Sequence, residues 1–92
     1  MSSDIAVRFG GNLARLRKRA GISQEELSVR ASLHRTEVSQ LERGLRLCRI
    51  DTLLKVAGSL EVSCDELLAG LAWTPGATTY GRFRSVDEAE SR

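Results

Sequence analysis

Aromatic side chains make up only 4% of these 92 residues: one Trp, one Tyr and two Phe. Cysteine occurs twice, and histidine and proline once each. The two cysteines, Cys48 and Cys64, show no CxxC spacing, and His34 is the lone imidazole. That set cannot build a four-ligand zinc site and offers no disulfide framework. Both thiols are expected as reduced core or boundary residues, and no metal is expected. No run approaches the roughly 18 apolar residues of a membrane span. The opening MSSDIAVRFGG has neither the basic start nor the long apolar stretch of a signal peptide. A soluble, cytoplasmic protein with no membrane partner is expected. There is no phosphate-binding glycine loop and no nucleophile–base pair, so no enzymatic activity, cofactor or small-molecule ligand is expected.

What is present is charge, unevenly spread. The net charge is only +2, yet residues 8–49 hold ten Lys/Arg against four Asp/Glu, and residues 50–70 hold one Lys against four acids. A basic half beside an acidic half suggests a surface turned towards a polyanion. The plainer reading is a solvated charged surface. The chain length suits one small domain.

The pattern along the chain is helical. Ile5, Phe9, Leu13, Leu16 and Ala20 recur at spacings of four and three, which predicts a helix over 4–19. Ser2 or Ser3 would cap it, and Gly21 would end it. Gly10-Gly11 in its middle costs about 1 kcal/mol each against alanine, which close approach of a neighbouring helix would explain. Ser23-Gln24-Glu25-Glu26 fits a capping box opening a second helix that ends near Ala31 or Ser32. Only Ser32, Leu33 and His34 separate it from a third helix over 35–43, the tight connection of two short helices. A basic loop, LRLCR, leads to a fourth helix over 51–60. Ser63-Cys64-Asp65-Glu66 is a second capping box opening a fifth, which Gly70 closes. WTPG at 73–76 breaks the pattern. In the tail, TTYGRFRSV has the composition of a short strand, and DEAESR is expected to be disordered.

Taken in order, these residues resemble a known family. GISQEELSVRASLHRTEVSQLERG is similar to the helix-turn-helix of the phage-repressor (Cro/XRE-type) regulators, and IDTLLKVAGSLEVSCDELLAG is similar to their fourth and fifth helices. The likeness covers about residues 5–70. Arg35-Thr36, Val38-Ser39 and Arg46 also look like the controller proteins of restriction-modification systems. The resemblance implies an all-α, compact five-helix, lambda-repressor-like DNA-binding domain over residues 1–72, with a C-terminal extension over 73–92. It also implies a regulator that binds palindromic double-stranded DNA as a homodimer, with the third helix in the major groove. Two departures stand out: Ser32 occupies a turn position where the family often has glycine, and no proline stands near Cys48.

The chemistry of the residues fits that implication. Arg35 can pair bidentately with guanine O6 and N7, and Gln40 with adenine N6 and N7. Thr36 can bond a base edge or rest its methyl on thymine, and Ser39 lies one turn on. Gln24, at the positive end of the second helix, suits a phosphate; it could also brace Gln40 or Arg35. Arg43, Arg46 and Arg49 would grip phosphates, Arg46 alternatively entering a groove. His34 is expected as a helix cap or phosphate neighbour, and Glu37 near the DNA face. In the family, an arginine of the first helix pairs with the glutamate ending the third, which assigns a structural salt bridge to Arg17 and Glu42. Leu67, Leu71 and Trp73 are expected at the dimer surface, where a tryptophan beside leucines needs cover from the tail or a second chain. The competing use of such a fold is an antitoxin-like module that binds a protein through its tail. Taken singly, each of these polar residues is also an ordinary exposed side chain.

Overall fold

The computed structural model describes residues 4–76 and 81–85. Five helices and a hairpin follow one another: α1 Asp4–Arg19, α2 Gln24–Ala31, α3 Arg35–Glu42, α4 Ile50–Leu60, α5 Cys64–Leu67, β1 Leu71–Thr74 and β2 Arg82–Ser85. The all-α class holds with one addition, the small antiparallel sheet. The capping residues expected at Ser2 or Ser3, and the segment DEAESR, lie outside the described residues.

Local chemistry explains most of the boundaries. Ser23 Oγ accepts from the Glu26 N–H at 3.0 Å, and Glu26 returns the bond to the Ser23 N–H at 3.4 Å, which starts α2. Ser63 and Glu66 repeat the arrangement at α5. Arg19 and the Ser63 N–H hold the Glu66 carboxyl below the usual carboxylate range. At the end of α2, Ser32 adopts the left-handed conformation, φ 55°, so the turn is made without glycine. Its neighbour Leu33 then donates to the Ser28 carbonyl at 2.8 Å, satisfying one of the helix's last acceptors. α3 stops at Glu42, with Arg43 as its C-cap, and α4 begins at Ile50 rather than Asp51.

The core is one cluster. Leu13, Leu16, Leu27, Val38, Val56 and Leu67 are its largest fully buried side chains. α3 packs on α1 and α2, α4 on α2, and α5 on α1 and α4. Of the α1 stripe, Phe9, Leu13 and Leu16 are buried, with Ala6 beside them, Ile5 is half-buried, and Ala20 lies past the helix end and is exposed. Asn12 interrupts that stripe and is also buried. Its Nδ2 donates to the carbonyls of Leu67 and Ala69, both at 2.9 Å, so α1 caps the C-terminal turn of α5. Arg8 adds a bond to Ala69 O at 3.3 Å. Both cysteines are free thiols, and burial pushes the Cys48 thiol up to about 11.

Leu67 corrects an expectation. It is fully buried in the protomer's own core and has no surface to offer a second chain, whereas Leu68 beside it is exposed. Leu71, half-buried, packs against the core and starts β1, so the strand crosses the 72/73 boundary and takes in Trp73 and Thr74. Only Pro75-Gly76 of WTPG breaks the structure. In the hairpin Trp73 stands opposite Phe83, with their rings edge to face at 4.9 Å. Both aromatics remain more than half exposed.

Gly10 and Gly11 separate cleanly. A Cβ on Gly10 would stand 2.3 Å from the Leu41 carbonyl oxygen, whereas one on Gly11 would meet nothing within 4 Å. Of the two glycines, only Gly10 is required by the α1–α3 crossing. Gly10→Ala must push the helices apart, at a cost of about 1–3 kcal/mol. Gly11→Ala should gain roughly 0.5–1 kcal/mol from helix propensity. Urea unfolding of the two variants checks this, and shifts of the same sign would contradict it.

Candidate nucleic-acid interface

α3 has two faces. Val38 and Leu41 are buried and anchor it, and Glu42 ties its end to α1. Arg17 grips the Glu42 carboxylate with two nitrogens, Nε on Oε2 and Nη2 on Oε1 at 2.9 Å, and its Nη1 donates to Ile22 O at 2.8 Å. The side chains of the pair are only 11% and 6% exposed. Hydrogen bonding to Glu42 raises the Arg17 guanidinium above its ordinary value. The pair assigned through the family resemblance is thus present, and it is bidentate and largely buried.

Gln24 completes this junction. Its Nε2 donates to Glu42 Oε1 at 3.0 Å, so the residue it braces is Glu42 and not Gln40 or Arg35, the two it could have braced. One carboxylate therefore joins α1, the start of α2 and the end of α3. Gln24 remains half-exposed at the N-terminus of α2, where the first N–H groups have no helical partner and favour an anion.

The outer face gathers most of the expected contacts. Arg35, Thr36, Ser39, Gln40, Arg43, Gln24 and Leu45 line one concavity of about 270 Å³. Arg35, Thr36 and Arg43 are exposed, and Ser39 and Gln40 half-exposed. Leu45 was not anticipated; a hydrophobic residue just past Gly44 carries no signal of its own in the sequence. Arg46 does not line the concavity but bonds Gln40, Nη1 to Oε1 at 3.3 Å. His34 is the N-cap of α3, and its N–H donates to Glu37 at 3.4 Å, which gives the acidic Glu37 a structural reason for standing there. Arg49 lies apart, at the N-cap of α4, paired with Asp51 at 3.4 Å. Among the described residues, no group of three or more His, Cys, Asp or Glu is placed to hold a metal, and no helix is long and apolar enough to cross a membrane.

Comparison with known proteins agrees with this geometry. A model of the helix-turn-helix family matches residues 13–67. The chain is 39% identical to the helix-turn-helix transcriptional regulator y4dJ of Sinorhizobium fredii, over 82% of this chain and 97% of that protein. It is 35% identical to the control protein C.BamHI of Bacillus amyloliquefaciens, over 74% of this chain and 85% of that protein. Its fold is similar to the crystal structure of the restriction-modification controller C.AhdI from Aeromonas hydrophila. There the TM-score is 0.66 and the identity 39%, covering 67% of this chain and 94% of that one.

The Arg17–Glu42 junction predicts its own energetics. Glu42→Ala leaves a mostly buried guanidinium without its counter-charge, at an expected cost of about 3 kcal/mol. Adding Arg17→Met should recover part of that loss, because both charges are then gone. Thermal and urea unfolding of the single and double variants measures this. Strictly additive losses would mean the pair does not act as one unit.

Proposed function

This chain belongs to the Cro/XRE-type helix-turn-helix family of DNA-binding transcriptional regulators, and we propose that it reads a palindromic operator as a homodimer, with α3 in the major groove. The observation that carries this reading is the single outward concavity that Arg35, Thr36, Ser39 and Gln40 share with Gln24 and Arg43. Arg35 and Thr36 sit in the first turn of α3, the part of a recognition helix that reaches base edges. Gln24 and Arg43 flank them and suit the phosphates on either side of the groove. His34 and Arg49 add backbone contacts farther out. Relatives that carry the name of control proteins favour a regulator of the restriction-modification controller kind.

Two copies are needed to read a palindrome, and the surface offers a seam. Leu47, Ile50, Leu54 and Leu68 are exposed apolar side chains. Ile50 and Leu54 are four apart on α4, hence on one face. Leu47, Leu53, Leu68 and Leu71 line one groove beside it. A second copy covering this face would remove the liability of so much exposed leucine and isoleucine. Trp73, beyond Leu71 on β1, extends the seam in place of the buried Leu67. The helical body up to β1 then forms the DNA-binding unit, and the hairpin that begins at Leu71 supports the dimer. In the antitoxin-like alternative a protein partner would sit on Trp73 and Phe83 instead.

Selection of bound duplexes from random sequence tests the reading head. Arg35→Ala should leave thermal stability unchanged and relax one base pair in each half-site, by about 1–3 kcal/mol of discrimination. A selected site that keeps every preference would remove Arg35 from base reading. Sedimentation tests the seam. Ile50→Asp with Leu54→Asp should give a folded monomer at micromolar concentration and loss of operator binding. A wild-type chain that is itself monomeric there would contradict the dimer and favour the protein-docking alternative.

A further inference from the structure

We infer that Arg46 is a positioning residue for base recognition, because the loop after α3 holds the Gln40 amide in one orientation. This rests on the reading of α3 as the base-reading helix. Gln40 is held at two points. Its backbone carbonyl accepts from the Leu45 N–H at 3.0 Å, and its side-chain Oε1 accepts from Arg46 Nη1 at 3.3 Å. The loop can turn back so sharply because Gly44 takes φ 70°. Gly44 also lies so close to α1 that a Cβ there would stand 2.7 Å from Val7 Cα. The loop that carries Arg46 is thus set against the body of the domain.

The chemical consequence follows from the glutamine amide. Its oxygen and nitrogen ends are nearly the same shape, so an unbraced amide can present either end to a base. A guanidinium only donates. Arg46 therefore stabilises the orientation with oxygen towards the loop, through a charge-assisted bond, and disfavours the reverse. That leaves one lone pair of Oε1 and the Nε2 hydrogens for DNA. An acceptor beside a donor is the pattern that pairs with N6–H and N7 of adenine. Arg46 makes this selection without lining the concavity itself, so its effect on specificity passes through Gln40.

The test is random-duplex selection with the wild-type chain, Gln40→Ala, Arg46→Ala and the double variant, each first shown by circular dichroism and melting to be folded. Both side chains are at least partly exposed, so folding should persist. The expected result is that both single variants lose preference at the same base pair of each half-site, by about fivefold or more. The double variant should lose no more there than Gln40→Ala does. Uniform loss of affinity in Arg46→Ala, with every preference intact, would make Arg46 a phosphate contact and overturn the inference. Relaxation at a different base pair would make it a direct reader and overturn it equally. If Gln40→Ala leaves the selected site unchanged, Gln40 does not read bases, and the underlying reading of that residue falls together with the inference.

Discussion

The carboxylate of Glu42 is the point where three helices are joined. Arg17 reaches it from α1 with two nitrogens, Gln24 reaches it from the start of α2, and Glu42 itself is the last residue of α3. A helix of eight residues is too short to be stable alone, so α3 keeps its position only through contacts with its neighbours. Val38 and Leu41 supply adhesion, which is strong but not directional. The bidentate pair supplies direction, because a planar guanidinium and a carboxylate fit in few geometries. Gly10 lets the same end of α3 lie against α1 with no side chain between them.

The division of labour on α3 follows from that attachment. With one side committed to Val38, Leu41 and Glu42, four other positions of α3, Arg35, Thr36, Ser39 and Gln40, turn outward and share one concavity with the C-cap Arg43, Gln24 and Leu45. Gln24 belongs to both sides: it bonds the structural carboxylate and stands at a helix N-terminus that favours an anion. In the proposed complex, the residue next to a phosphate would thus be fixed by the same group that fixes the reading helix. Gln40 is governed in a parallel way from the other end, by the loop behind Gly44.

Much of the helical frame was legible in the sequence because it is written in local chemistry. Capping boxes at Ser23 and Ser63, and glycines at 21, 44 and 70, mark boundaries through interactions within a few residues, and the apolar spacing of α1 marks its buried face. What was not legible depends on distance in space. Leu67 looked like a candidate for the dimer surface, yet α1 and α4 close over it. Gln24 was open between a base-reading neighbour and a phosphate, and the carboxylate it found is 18 residues away. Asn12 did leave a trace, a polar residue inside an apolar stripe, but its partners lie beyond α4. Ile50 falls just before the helix expected over 51–60 and Leu54 is one of its apolar residues, and only their exposure shows that the protomer leaves both uncovered.

Operator reading of the proposed kind requires α3 in the major groove, once in each half of a two-fold site. Methylation interference at guanine N7 on a selected duplex addresses that most directly, because this atom faces only the major groove. With α3 so placed, methylation should block binding at two clusters of guanines, about 10 base pairs apart from centre to centre and related by two-fold symmetry. Binding indifferent to N7 methylation, or blocked at one cluster alone, would contradict it.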